Sequence, residues 1–158
     1  MTTVDFEALL SRKADDIRPP ATFPVGTFKG VIKESVRGTS RQKGTPFIGF
    51  SVIPTDVIDA DDQELTDFGD WQAYELRPSA IGPLTFYITD NSLWRLVAKD
   101  QNGEWSGFFH DVLGMDPTGK EIVELEAEAI GQELIFTVGH SAGDNGTIYA
   151  NITEVARA

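Results

Sequence analysis

Five stretches of this chain alternate apolar and polar residues with a period of two, and glycine, proline or asparagine punctuates the gaps between them. A period of two sends successive side chains to opposite faces of an extended strand, so it commits a segment to a half-buried sheet. Over 26–37, Phe28, Gly30, Ile32 and Val36 fall on one face, and Lys29, Val31, Lys33, Ser35 and Arg37 on the other. Over 47–57, Ile48, Phe50 and Val52 oppose Phe47, Gly49, Ser51 and Ile53, with Pro54 marking an edge or a bend. Over 84–89, Leu84, Phe86 and Ile88 point inward and Thr85, Tyr87 and Thr89 outward. Leu134, Phe136 and Val138 are in phase over 133–139, and Gly143-Asp-Asn-Gly146 is a hairpin turn leading into a partner strand over 147–155.

The segments between the strands read differently. Val4, Phe6, Leu9 and Leu10 lie at helical spacing, so a short amphipathic helix is expected over 4–16, ended by Pro19, Pro20 and Pro24. Residues 59–83 show no periodicity and read as an acidic insertion containing Trp71, Tyr74, Pro78 and Pro83. Thr89 or Asp90 is placed to cap a helix reaching Lys99, with Leu93, Trp94 and Val97 as its apolar stripe; Trp94 and Trp105 are assigned to the core. A helical turn is expected over 108–113. Thr118 and Glu121 fit a capping box before a short helix over 121–130. Three strands, helical matter and a closing hairpin predict a mainly β fold. The expected architecture is a five-stranded OB-fold-like Greek-key barrel with a helical insertion between strands three and four and a short N-terminal helix. Residues 1–25 form the helix and proline-rich extension, and 26–158 a single OB-like domain carrying the insertion at 59–83.

Several function classes drop out. The chain has no cysteine, hence no disulfide framework and no thiolate metal site. No apolar run approaches the roughly 20 residues that span a bilayer, and the N-terminus lacks a basic region followed by an apolar stretch. A cytoplasmic protein with no membrane partner is expected. Gly139-His-Ser-Ala-Gly143 matches the nucleophile elbow of α/β-hydrolases, but that chemistry needs a strand-to-helix turn and a histidine later in the chain. Here the motif runs into a hairpin turn, and both histidines, His110 and His140, precede Ser141. Asp59, Asp61, Asp62 and Glu64 are dense carboxylates without the glycine and 12-residue frame of a calcium loop. A non-enzyme is expected, with no metal and no cofactor.

Charge is the informative part of the composition. The net charge is −12, yet residues 26–58 carry +3 and the remainder −15. Residues 59–76 hold seven acids and no base. An acidic protein is a poor general binder of polyanions, so any such site must sit in the basic segment. Single-strand binders combine a cationic track for phosphates with aromatic rings on which bases stack. The strand phasing places Lys29, Lys33 and Arg37 on one outer face and Arg41 and Lys43 in the following loop. Phe47 and Tyr87 fall on the neighbouring outer faces, with Ser51, Thr85 and Thr89 as hydrogen-bonding additions. Trp71, Tyr74 and Tyr149 are secondary stacking candidates.

Gly26-Thr-Phe-Lys-Gly-Val-Ile, Lys43-Gly-Thr-Pro-Phe-Ile-Gly-Phe-Ser-Val, Gly131-Gln-Glu-Leu-Ile-Phe-Thr-Val and Tyr149-Ala-Asn-Ile-Thr-Glu-Val together resemble the phage-encoded single-stranded-DNA-binding proteins. The resemblance spans 26–57 and 131–155. It implies an OB-fold that coats single-stranded DNA without sequence preference in phage-type replication or recombination, in the host cell cytoplasm. It also implies a binding role for Lys29, Lys33, Lys43 and Phe47. Replication or recombination proteins are then further partners, with 59–76 as the element that recruits them, and a homo-oligomer is compatible with that role. The acidity outside 26–58 supports an alternative: a virion component or DNA-mimicking antagonist of a host factor, with no DNA affinity.

Overall fold

The computed structural model describes residues 6–16, 21–80 and 82–158. In chain order the elements are α1 (Phe6–Leu10), β1 (Gly26–Thr39), β2 (Pro46–Ala60), α2 (Asp62–Phe68), β3 (Thr85–Tyr87), β4 (Ala98–Lys99), β5 (Trp105–Ser106), α3 (Ile122–Ala129), β6 (Glu133–Ala142) and β7 (Ile148–Arg157). Single 3-10 turns occur at Ala14–Asp16, Trp71–Ala73 and Leu93–Arg95, and a π-helical turn at Phe108–Val112. The N-terminal helix is five residues long, and Phe6, Leu9 and Leu10 are all exposed. Val4, Pro19 and Pro20 lie outside the described residues. No described helix is long and apolar enough to cross a membrane.

Five strands form one antiparallel sheet in the order β3-β2-β1-β6-β7. Three consecutive strands and a fourth that returns beside the first make a Greek key. The sheet is not closed into the expected barrel, because its edge strands β3 and β7 are not paired. Both edges are otherwise engaged. β3 spans only three residues. Beyond it, Leu76 takes over the edge of β2, exchanging backbone hydrogen bonds of 2.8 and 3.0 Å with Val52. At β7, the Ile148 carbonyl accepts a hydrogen bond from Thr22 Oγ1. The insertion and the N-terminal extension thus occupy the line along which closure would occur. β4 and β5 form a separate two-stranded sheet.

The alternation identified the core. Phe28, Ile32, Ile48, Phe50, Val52, Leu134, Phe136 and Val138 are all buried, joined by Leu96, Phe108, Phe109 and Leu125 from the connecting segments. Phe28 stacks on Phe136 at 5.7 Å between ring centroids, and Phe50 on Phe108 at 5.3 Å. Full burial of such a side chain is worth roughly 1.5–3 kcal/mol. Gly30 makes the Phe136 packing feasible: a Cβ there would stand 2.8 Å from the Phe136 ring and 2.5 Å from the Ile53 carbonyl oxygen.

Two helical expectations shift. The stretch 90–99 forms only the 3-10 turn Leu93–Arg95 before entering β4. The Leu96 carbonyl, which a continuing helix would use, accepts from the Phe109 amide instead. Trp94 therefore leaves the core and is 63% exposed, its Nε1 donating to the Asn91 carbonyl. The helix after Thr118 exists, but its capping box is Glu121 with Glu124. Gly119 has φ +73°, outside the helical region, so Thr118 cannot be the cap; it bonds Asp116 through its amide and hydroxyl.

Candidate nucleic-acid interface

β1 carries all the strand cations that the sequence singled out, and a bulge divides it. Ile32 pairs with Val52, yet Glu34 pairs with the adjacent Ser51, leaving Lys33 without a cross-strand partner. An extra residue reverses the strand's phase. Lys29 and Val31 point away from the core before the bulge. After it, Ser35 and Arg37 lie opposite the buried Phe50 and Ile48, while Val36 faces outward and is exposed. The single outer face of Lys29, Lys33 and Arg37 expected from strict alternation therefore does not exist.

Arg37 meets α3. Its guanidinium donates two hydrogen bonds to the Glu126 carboxylate, one of them Nε to Oε2 at 3.0 Å. The Glu126 side chain is 6% exposed and that of Arg37 64%. The hydrogen bond from Arg37 holds the Glu126 carboxyl below its ordinary range against the opposing effect of desolvation. Lys29 pairs with Glu133 on β6 at 3.2 Å and faces Asp56 across β2. Both cations belong to ion pairs within the protein.

The hairpin joining β1 and β2 is different. Gly44, at φ +63°, donates its amide to the Ser40 carbonyl, and Thr45 bonds both the amide and the hydroxyl of Ser40 in a tight closure. The glycine of Lys43-Gly-Thr-Pro is thus a turn requirement. Arg41 and Lys43 project from this loop, exposed. Arg41, Lys43 and Lys33 make no ion pair among the described residues. At the foot of the loop Phe47 pairs with Gly38 on one side and Tyr87 on the other. Directly opposed residues share a face, so Phe47 and Tyr87 are neighbours on the outer surface, both half-buried. The Phe47 ring lies across Gly38, where a Cβ would come within 2.8 Å of it.

The structure thus brings together Arg41, Lys43, Phe47 and Tyr87, with Lys33 farther down the strand. Lys29 lies on the far side of the bulge, and Arg37, which lines a recess together with Gly38 and Phe47, is held by Glu126. Ser51 and Thr85 are also withdrawn, because residues 75–79 lie over them. Ser51 is fully buried and donates to Glu75 Oε1 at 2.7 Å, while Thr85 Oγ1 donates to the Ser79 carbonyl. That hydrogen bond from Ser51 lowers the Glu75 pKa. Thr89 shares a local hydrogen-bonded turn with Ser92. Sequence reasoning missed Arg77, which is exposed and makes no ion pair among the described residues, and it misplaced Trp94.

Of the other motifs, Ser141 accepts a hydrogen bond from Asn151 Nδ2 at 2.7 Å on the neighbouring strand, and His140 Nε2 contacts the Phe23 carbonyl at 2.6 Å. Asp61 is the N-cap of α2, its carboxylate accepting from the Glu64 amide, which is a structural use for one of the dense acids. Among the described residues no group of three or more His, Asp or Glu is placed to hold a metal ion. No protein-family model matches the chain, and a search of curated proteins finds no match to it.

Proposed function

We propose that this protein binds single-stranded DNA without sequence preference, through the β1–β2 loop and the outer surface at the β2–β3 pair. One observation carries the reading: two neighbouring aromatic residues, Phe47 and Tyr87, sit at the foot of a hydrogen-bonded loop whose Arg41 and Lys43 have no carboxylate partner among the described residues. Aromatic faces stack on any base, and unpaired cations release counterions from phosphates. The Greek-key order supports an OB-type module, a class described as a five-stranded, partly open barrel that binds oligonucleotides with this region. A role in phage-type replication or recombination rests on the resemblance of 26–57 and 131–155 alone.

The test is fluorescence anisotropy with labelled oligo-dT at two salt concentrations. Binding at low salt that weakens steeply as salt rises is expected, with a slope of log K against log salt of roughly −0.7 per phosphate contacted. Absence of binding at low salt overturns the reading.

The ion pairs Lys29–Glu133 and Arg37–Glu126 favour a second reading. They neutralise two of the five cations of the basic segment and leave a mostly acidic surface, as suits a protein that docks against a basic protein partner. That reading expects no DNA affinity and recovery of a basic protein in a pull-down.

A further inference from the structure

A large recess lies elsewhere, along the unclosed line of the sheet. It has a volume of about 970 Å³ and runs between the 74–77 segment and the turn joining β6 to β7. Sites of roughly 300–1,000 Å³ hold drug-sized ligands, so this one has room for more than a single base. Phe23 and Leu76, both buried, form its floor. Tyr74 stands on one wall, its ring stacked on Phe23 at 5.5 Å and 25°. Tyr149 stands on the other, its ring lying against the turn at Gly143. Tyr74 also packs edge-on against Phe68 at 5.2 Å, and the two tyrosines are 44% and 51% exposed, so each is supported by the protein yet reachable from solvent.

The groove carries few charges. Its lining holds one acid and one base, Glu75 and Arg77. The Glu75 carboxylate is turned to the buried Ser51 hydroxyl. Arg77 is exposed and makes no ion pair among the described residues. Two supported aromatic rings beside one exposed guanidinium are what stacked bases and their phosphate need. The charges of Arg77 and Lys33 both act on the Glu75 carboxyl.

We propose that this groove is a second segment of the single-strand path, with Tyr74 and Tyr149 stacking bases and Arg77 holding a phosphate. The proposal rests on the single-strand reading of the β1–β2 loop. It adds that a strand long enough to leave that loop follows the sheet to the insertion and binds there too.

The experiment compares the wild-type chain with the Tyr149→Ala, Arg77→Gln double variant on oligo-dT of about 5 and about 16 nucleotides, spanning the site sizes of single modules. The long oligonucleotide should bind the variant roughly ten- to hundredfold more weakly than the wild type, and the short one equally. Tyr149→Phe keeps the ring and should bind the long strand as the wild type does. Iodouracil placed along the long strand should photocrosslink to Tyr149 or Tyr74. Equal affinity of wild type and double variant for the long strand, or crosslinks confined to the β1–β2 loop and β3, overturns the groove proposal and leaves the loop site standing. If the wild type binds neither length, the single-strand reading itself falls, which is a separate outcome. A variant that loses the short strand as well, with a lowered melting temperature, is misfolded; the Tyr149→Phe and crosslinking results then decide.

Discussion

The two halves of the basic segment, the packed strand up to Arg37 and the loop beyond it, carry similar cations and hold them differently. Before the bulge at Lys33 the strand has β2 on one side and β6 on the other, and Phe28, Gly30 and Ile32 are buried beneath it. There Lys29 is held by Glu133. Past the bulge β6 no longer pairs with it. β1 and β2 run on together toward a loop, with β3 along the outer edge of β2 and Arg37 turned back onto α3. Among the described residues Lys33, at the bulge, and Arg41 and Lys43, in the loop, make no ion pair. Lys29 and Arg37, packed against β6 and α3, meet a carboxylate of their own protein; Arg41 and Lys43, on a loop held by backbone bonds, do not among the described residues. The proposed binding segment is therefore shorter than the basic segment.

The comparison breaks most visibly in the packed half. Phe28→Ala removes a fully buried ring that touches Phe23, Trp71 and Phe136. It should cost about 3–5 kcal/mol in denaturant unfolding, and a cost under about 1 kcal/mol would mean that this half is not the rigid one. In the loop half, Phe47→Ala should spare most of the stability while weakening oligo-dT binding by about 1–3 kcal/mol, the worth of one stacked base. Unchanged binding would remove Phe47 from the surface.

Arg37→Gln sharpens the boundary between the halves. The Glu126 carboxyl titrates below its ordinary range in the folded protein, so its pairing stabilises the fold above the ordinary carboxylate range and is lost as pH falls through the depressed value. The variant should be less stable than the wild type at neutral pH, with the gap closing in acid, and DNA binding should change little. A gap that does not vary with pH would assign the effect to packing of the arginine stem. The smallest effect is expected for Lys29→Gln, whose partly exposed pair is worth about 0–1 kcal/mol. A large loss of DNA affinity in this variant would return Lys29 to the binding surface and undo the comparison.

Much of the sheet could be read from alternation because the pattern and the burial share one physical cause. Ile48, Phe50 and Val52, and Leu134, Phe136 and Val138, repeat every second residue and all reach the core. The bulge had no such signal: Lys-Glu-Ser fits either phase, and only the pairing with β2 reveals the extra residue. Arg37 was misassigned to the outer face for that reason. Trp94 was misassigned because its helical spacing to Leu93 and Val97 presumed a helix that the Phe109 amide interrupts. Phe47 and Tyr87 were legible as outward neighbours, since adjacent strands pair them directly. Arg77 was not, because its place depends on Leu76 joining the edge of β2 across a segment without periodicity.

The unpaired edges of the sheet also set how its amides meet solvent. β1 is bonded on both sides over 26–31, whereas β3 and β7 are bonded by a strand on one side only. Amide protons in the first part of β1 can exchange with deuterium only when the whole sheet comes apart, while those at the two edges exchange through local openings of much lower free energy. The line left unclosed by the strands thus becomes the fastest-exchanging border of an otherwise slow lattice, and a ligand lying along it would register first as a slowing of those edge amides.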